Sequence, residues 1–357
     1  MAVHDDGSGP ALYVGGAFNA AGGVSANRVA KWDGTTWSAL GVGTNNIVNC
    51  LQSFPVSPGV SHLAIGGIFS MAGGLFVDRV VAWDGSAYSA LGDGLSSNVY
   101  ALTLHPPSGP LAQLYAGGLF SASGATSIDR LARYDVGTSS WEEFAGGVSG
   151  SVNDLESRSW GGTDTLLVGG SFSAVGTGGS ALAADDVATW TESGGWTAYP
   201  GFVSSSDIRA VEIFDGGSGE QLHVGGGSLD FGLGNLHCAR YDGASWQPMG
   251  AGVDDGVVLE LLAHDDGSGS SLWVGGQYYE AGDTSIMSIA EWTGSAWNPI
   301  AQGLSAYSVY ALTPSSITGL PTLYIGGYFH TPTHTDSSSI AGWRNGIWYD
   351  MGEIDGT

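Results

Sequence analysis

The side chains of this 357-residue chain that could do chemistry are few and widely spaced. His330 and His334 stand as His330-Thr331-Pro332-Thr333-His334, in what reads as a loop. A metal needs about three or four convergent ligands. A proline-containing loop does not by itself aim two imidazoles at one point, so both are expected to be solvated. The turns Asp5-Asp6-Gly7-Ser8-Gly9 and Asp265-Asp266-Gly267-Ser268-Gly269 are rich in oxygen, as is, more loosely, Asp215-Gly216-Gly217-Ser218-Gly219. Strong calcium sites want about six to eight oxygen ligands. Each turn offers few and reads as a hairpin turn. Glu156, Glu212 and Glu260 could pair with other carboxylates for glycoside hydrolysis. The chain has no Gly-x-Ser-x-Gly, His-Glu-x-x-His or Cys-x-x-Cys motif. We therefore expect no catalytic residue, no metal and no cofactor.

Cys50 and Cys238 are the only cysteines. A disulfide needs Cα atoms within about 7 Å, which repeats three apart on a ring cannot offer, so both read as small core residues. His4, His105 and His264 recur at one position of the repeat described below, which points to a structural role. The net charge is −25, from 34 acidic and 9 basic residues, and Lys31 is the single lysine. That balance argues against nucleic acid, whose phosphates require Lys and Arg, and against anionic membrane surfaces. It suits a secreted or marine setting. No apolar run approaches the ~20 residues of a membrane span.

The elements that must position these groups come from a repeat. Gly-Gly doublets stand at residues 15, 66, 117, 169, 225, 275 and 326, at intervals of 51, 51, 52, 56, 50 and 51. A fixed period of this length signals a solenoid, propeller or array. In the third copy, Val99–His105, Leu114–Phe120, Arg130–Asp135 and Ser140–Phe144 are four β-rich runs separated by turn residues. Third strands end on an aromatic, as in Trp32, Trp83, Tyr134, Trp190, Tyr241, Trp292 and Trp343. A fourth-strand aromatic follows at Trp37, Tyr88, Trp141, Trp196, Trp246, Trp297 and Trp348. Asp33-Gly34, Asp84-Gly85 and Asp242-Gly243 sit between these strands, where Asp-Gly is expected to supply the positive φ of a tight turn. The pattern predicts an all-β, seven-bladed β-propeller with four antiparallel strands per blade. The blades fall near 1–46, 47–97, 98–150, 151–206, 207–256, 257–307 and 308–357, and the chain reads as a single propeller domain.

Four hydrophobic residues, a Gly-Gly doublet, then a Tyr or Trp followed by a Trp resembles the kelch repeat. Tyr134 and Trp141 have the usual kelch spacing, whereas Trp32 and Trp37 stand closer, so the chain looks like a kelch-like variant. The run from Leu12-Tyr13-Val14-Gly15-Gly16 through Asn27-Arg28-Val29-Ala30-Lys31-Trp32-Asp33-Gly34 to Leu40-Gly41 is also similar to repeats of large bacterial extracellular proteins and of fungal cortical marker proteins. The resemblance covers all seven repeats. It implies a propeller and relatives that are mostly binding or surface modules. The kelch-type copper oxidases use a Tyr–Cys crosslink with paired His ligands. Neither cysteine here has such a setting, so that activity is not implied.

Stacked blades bury sheet faces that one blade cannot bury alone. An open array would leave two apolar faces exposed, so a closed ring is expected, with every blade built from one repeat. Val3–Gly9 aligns with Ala263–Gly269, which puts Met1 in mid-strand and suggests one ring cut from a longer chain. Asn27-Arg28, Asp78-Arg79 and Asp129-Arg130 recur in the first three blades only, and a contact between blades would explain them.

Function is sought where the copies differ. The residue after the β-branched residue that opens each first strand reads Asn49, Tyr100, Asn153, Arg209, Leu259 and Tyr310. In kelch-like rings this strand lines the axial channel. With the nearby Asp154 and Glu260, the residues Asn49, Tyr100, Asn153, Arg209 and Tyr310 form the expected binding rim. The loops Ser173–Asp185 and Gly227–Leu236 also diverge. The expected role is a non-catalytic extracellular module that recognises a protein or glycan on one loop face. The alternatives are a structural bead of a larger surface protein and a glycan-active enzyme using the channel carboxylates.

Overall fold

The computed structural model describes all residues except 110–111, 177–180, 200, 202–206, 231–234, 255, 268, 301–304, 316–322, 332–333, 353 and 356–357. Each repeat folds as one four-stranded antiparallel sheet whose strands follow sequence order. Blade 3 is representative, with strands Val99–His105, Gln113–Gly118, Leu131–Asp135 and Ser140–Glu143. No helix occurs among the described residues. The fold is the seven-bladed β-propeller that the period predicts, with four antiparallel strands in each blade. The chain divides into two compact units, Met1–Ala198 with Ile354–Thr357, and Tyr199–Glu353. Blades 1 to 4 belong to the first and blades 5 to 7 to the second.

The glycine doublets explain how blades pack. A Cβ on Gly66 would come within 2.8 Å of Val99 Cγ1 in the next blade, and one on Gly275 within 2.9 Å of Val309 Cγ1. Gly15, Gly117 and Gly225 stand in the same relation to Val48, Val152 and Val258. The first glycine of the doublet thus makes room for the β-branched residue that opens the next blade. The second glycine faces the blade's own first strand. A side chain on Gly67, Gly118, Gly226, Gly276 or Gly327 would strike the carbonyl of Ile47, Asn98, Asp207, Val257 or Ser308.

The aromatics of the third and fourth strands pair within each blade, with ring centroids 4.8 to 5.3 Å apart in six blades. They also join blades. Trp141 Nε1 donates to the Leu91 carbonyl of the preceding blade at 3.0 Å, Trp196 Nε1 to Ala145 at 2.9 Å and Trp297 Nε1 to Met249 at 2.7 Å. Tyr88 does the same through its hydroxyl, to Leu40 at 2.8 Å. Buried donors of this kind need a partner, and the neighbouring blade supplies it.

The segments that link blades follow one route. Thr44, Leu95 and Val148 donate backbone N–H groups to the carbonyls of Asn27, Asp78 and Asp129. Thr44 then bridges to Ala72, Val148 to Val175 and Val253 to Ala281, each in the next blade's short hairpin. Ile354–Asp355 pairs with Ala20–Ala21 of blade 1 in the same manner.

Two local expectations are corrected. Arg28, Arg79 and Arg130 do not join blades. They hold left-handed φ angles of 68°, 64° and 63°, and Arg28 and Arg79 donate from Nη1 to the Phe18 and Phe69 carbonyls of their own blades at 3.1 and 3.2 Å. At the same position of blade 4, Asp186 bonds the other backbone group of the corresponding residue, accepting from the Phe172 amide at 2.7 Å. The position closes the loop after the second strand. In the Asp-Gly turns only the glycine has positive φ. The aspartate works through its side chain, as when Asp33 Oδ1 accepts from the Thr35 and Thr36 amides at 2.8 Å, an Asx turn.

Trp141→Phe keeps the ring in its buried site but leaves the Leu91 carbonyl without its donor. An unfolding titration should show a loss of about 1–3 kcal/mol. An unchanged midpoint would show that the inter-blade bond contributes nothing.

Candidate binding site

The β-branched residue that presses on the preceding doublet also disturbs its own strand. In blade 2, Val48 pairs with Gly67 and Cys50 with Gly66, so Asn49 is an extra residue with no partner across the ladder. The same register shift isolates Tyr100, Asn153, Arg209, Leu259 and Tyr310 in blades 3 to 7. These six are the divergent positions identified from the sequence. A bulge re-aims the inserted side chain. Asn49, Arg209 and Tyr310 are exposed, and Tyr100 and Asn153 half-buried. The bulges lie at the same end of each sheet as the short hairpins and the inter-blade links.

In the first unit the first strands of consecutive blades pack side by side, and Asn49, Tyr100 and Asn153 form a row along them. Asn49 Nδ2 donates to the Val99 carbonyl of the next blade at 2.8 Å, and Asn98 Nδ2 to the Tyr100 hydroxyl at 3.2 Å. Asp154 follows the Asn153 bulge and faces Gly169. In the second unit Arg209 pairs with Asp207. Glu260, after the blade 6 bulge, faces Gly275. Asp154 and Glu260 stand where Ala101, Ala210 and Ala311 stand in other blades.

The first and second strands of blade 7 are longer at this end than the repeat leads one to expect, running Ser305–Pro314 and Leu323–Thr331. A second bulge isolates Tyr307, three residues before Tyr310. Tyr307 packs on Tyr328 with centroids 5.3 Å apart and planes inclined at 37°, and His330 meets Tyr307 edge-on at 6.3 Å. Tyr307, Tyr310 and Tyr328 are 59 %, 60 % and 48 % exposed. Sequence reading missed Tyr307 and Tyr328. The available signal was Tyr328, the one aromatic that directly follows a doublet.

His330 and His334 are not in a loop. They lie on the paired strands Leu323–Thr331 and His334–Arg344. Their turn, Pro332-Thr333, and the His334 side chain lie outside the described residues. Ser268 and part of the Ser173–Asp185 and Gly227–Leu236 segments lie outside them too.

The other carboxylates named in the sequence are engaged locally. Glu212 is buried and accepts from the Ile213 amide at 2.8 Å and from the Ala263 amide of the next blade at 3.2 Å. Glu156 pairs with Arg158 at 3.1 Å. Asp5, Asp215 and Asp265 each accept from two amides of their own turn at 2.8 to 3.2 Å. Among the described residues no three His, Cys, Asp or Glu side chains converge as a metal would require. His4 and His105 bond Ser53 and Ser157 of the following blade through Nδ1 at 2.8 Å. Both cysteines are free, and burial pushes the Cys238 thiol up to about 12.

The family model described as the Rax2 C-terminal beta propeller domain matches residues 82–264, and the chain belongs to that family. No curated protein matches the chain. Among solved structures it is similar to an ancestral GH74 enzyme, at 13% identity and a TM-score of 0.52, covering 97% of this chain and 48% of that one. It is also similar to the extracellular domain of a putative one-component system from B. thetaiotaomicron, at 14% identity and a TM-score of 0.40, covering 97% and 45%. At these identities the GH74 likeness is one of fold alone. The chain spans about half the length of these structures. No helix among the described residues is long and apolar enough to cross a membrane.

Because the acidic turns use their carboxylates on their own amides, calcium should leave the melting temperature unchanged. A reproducible rise with calcium, reversed by chelator, would assign these turns to the ion.

Proposed function

We propose that this member of the Rax2 C-terminal β-propeller family is a non-catalytic recognition module of an extracellular or cell-surface protein, and that it binds carbohydrate at the tyrosine platform of blade 7. The observation that carries this reading is the exposed trio Tyr307, Tyr310 and Tyr328, with His330 against Tyr307. Flat aromatic faces stack on the apolar faces of sugar rings. Arg209 and Glu260, at or beside the bulges of blades 5 and 6, supply groups that can bond hydroxyls at the same end of their sheets. The strong negative charge and the kelch-like resemblance support a surface role.

The carboxylates support binding over turnover. Glycoside hydrolysis uses two carboxyl groups a fixed distance apart, whereas Glu212 is buried against backbone amides and Glu156 pairs with Arg158. A second reading, contact with another protein, draws on the hairpin Leu75–Phe76 of blade 2, where Phe76 is 86 % exposed. An apolar tip of this kind suits a protein partner.

The test is a glycan array probed with the intact chain and with Tyr307→Ala and Tyr328→Ala. Saturable hits weakened a few-fold to about tenfold in both variants are expected, since stacking contacts are worth about 0.5–1.5 kcal/mol. A blank array, or hits indifferent to both substitutions, would contradict the carbohydrate reading. Phe76→Ser, which leaves blade 7 intact, should not change the hits.

A further inference from the structure

Lys31 sits in a complete binding site of its own. Its Nζ bonds Asp6 Oδ2 at 2.5 Å and Ser8 Oγ at 2.7 Å and lies 5.5 Å from the centroid of the Tyr13 ring. The Tyr13 hydroxyl donates to the same Asp6 oxygen at 2.6 Å. Burial works against the Asp6 charge, but the bonds from Lys31, Ser8 and Tyr13 outweigh it and hold the carboxyl well below the usual range. His4 meets Tyr13 edge-on at 5.4 Å.

Blade 6 rebuilds this site with two changes, Trp273 for Tyr13 and Glu291 for Lys31. Its turn has the same sequence, with Asp266 in place of Asp6. His264 meets Trp273 edge-on at 5.9 Å, as His4 meets Tyr13. Trp273 pairs across the ladder with Glu291, as Tyr13 pairs with Lys31. The ammonium position of blade 1 is thus taken by a second carboxylate. Burial, with the charge of Asp266 adding to it, pushes the Glu291 carboxyl up to about 7. Beside the two acids opens a cavity of about 430 Å³ whose walls include Trp343, Asn345 and Ile300.

We propose that this blade 6 cavity binds a primary alkylammonium group, held between Asp266 and Glu291, the natural source being a lysine side chain of a partner polypeptide. Two facing carboxylates suit a compact cation whose N–H groups make charge-assisted hydrogen bonds to both. Blade 1 shows the chemistry already satisfied by a residue of this chain. The site lies at the opposite end of the strands from the tyrosine platform and does not rest on the carbohydrate reading.

The test is titration calorimetry of the full chain at pH 8, where Glu291 is ionised. The probes are the peptide acetyl-Gly-Lys-Gly-amide, its Nε-acetyllysine counterpart, and cadaverine. Saturable binding of the lysyl peptide, absent for the acetylated one, is expected. Tighter binding of the peptide than of cadaverine assigns the source to protein, and the reverse assigns it to free diamines and overturns that part of the proposal. Asp266→Asn and Glu291→Gln should each weaken binding about tenfold or more, the worth of a bond to a charged group. Glu291→Lys should recreate the blade 1 pair, raise the melting temperature and abolish binding. No binding of either amine, or binding that survives Glu291→Lys in a folded protein, would overturn the proposal.

Discussion

The structure depends on one steric exchange between consecutive blades. A glycine at the end of one blade's second strand gives up its side chain, and the β-branched residue opening the next blade's first strand presses against the bare backbone. Val48, Val99, Val152, Val258 and Val309 are all buried in this position. The space left by the missing Cβ is filled by a methyl group, so a larger residue on either side would overpack the contact. The aromatics of the fourth strand act further out in each sheet, where their donors reach the preceding blade's carbonyls.

The same exchange creates the variable surface. The second glycine draws close to the first strand just before the β-branched residue, and the residue after it is expelled from the ladder. That expelled residue has no partner across the ladder, so the sheet does not dictate its type, and it is Asn, Tyr, Arg or Leu. Scaffold and recognition surface are therefore adjacent positions of one strand. The β-branched member packs against the preceding blade, and the next one leaves the ladder.

Much of this was legible in the chain. The doublet period, the β-rich runs and the paired aromatics gave the blades, and the row of divergent residues after Val48 and its counterparts proved to be the bulges. What the chain could not show was where side-chain bonds go. Arg28 and Arg79 recur like inter-blade contacts, but their guanidinium groups close their own loops. Glu212 looks equivalent to Glu156 in sequence, yet one is buried on backbone amides and the other pairs with Arg158. His330 and His334 read as a loop because of Pro332, whereas both belong to long paired strands. Those strands bring Tyr307 and Tyr328 together, which no spacing rule reveals, because the contact needs a second bulge.

The account is tested most directly by a double-mutant cycle on Gly117→Ala and Val152→Ala, with unfolding free energies measured for all four proteins. Gly117→Ala alone should destabilise by about 1–3 kcal/mol through overpacking. Val152→Ala removes the methyl that the added Cβ would strike at 2.4 Å and leaves contacts of 3.0 and 3.1 Å, so the added Cβ should then cost less, and the cycle should show a favourable coupling of about 1 kcal/mol or more. Strictly additive losses would mean that the glycine and the β-branched residue act independently, and the interlock between blades would not be what holds this fold.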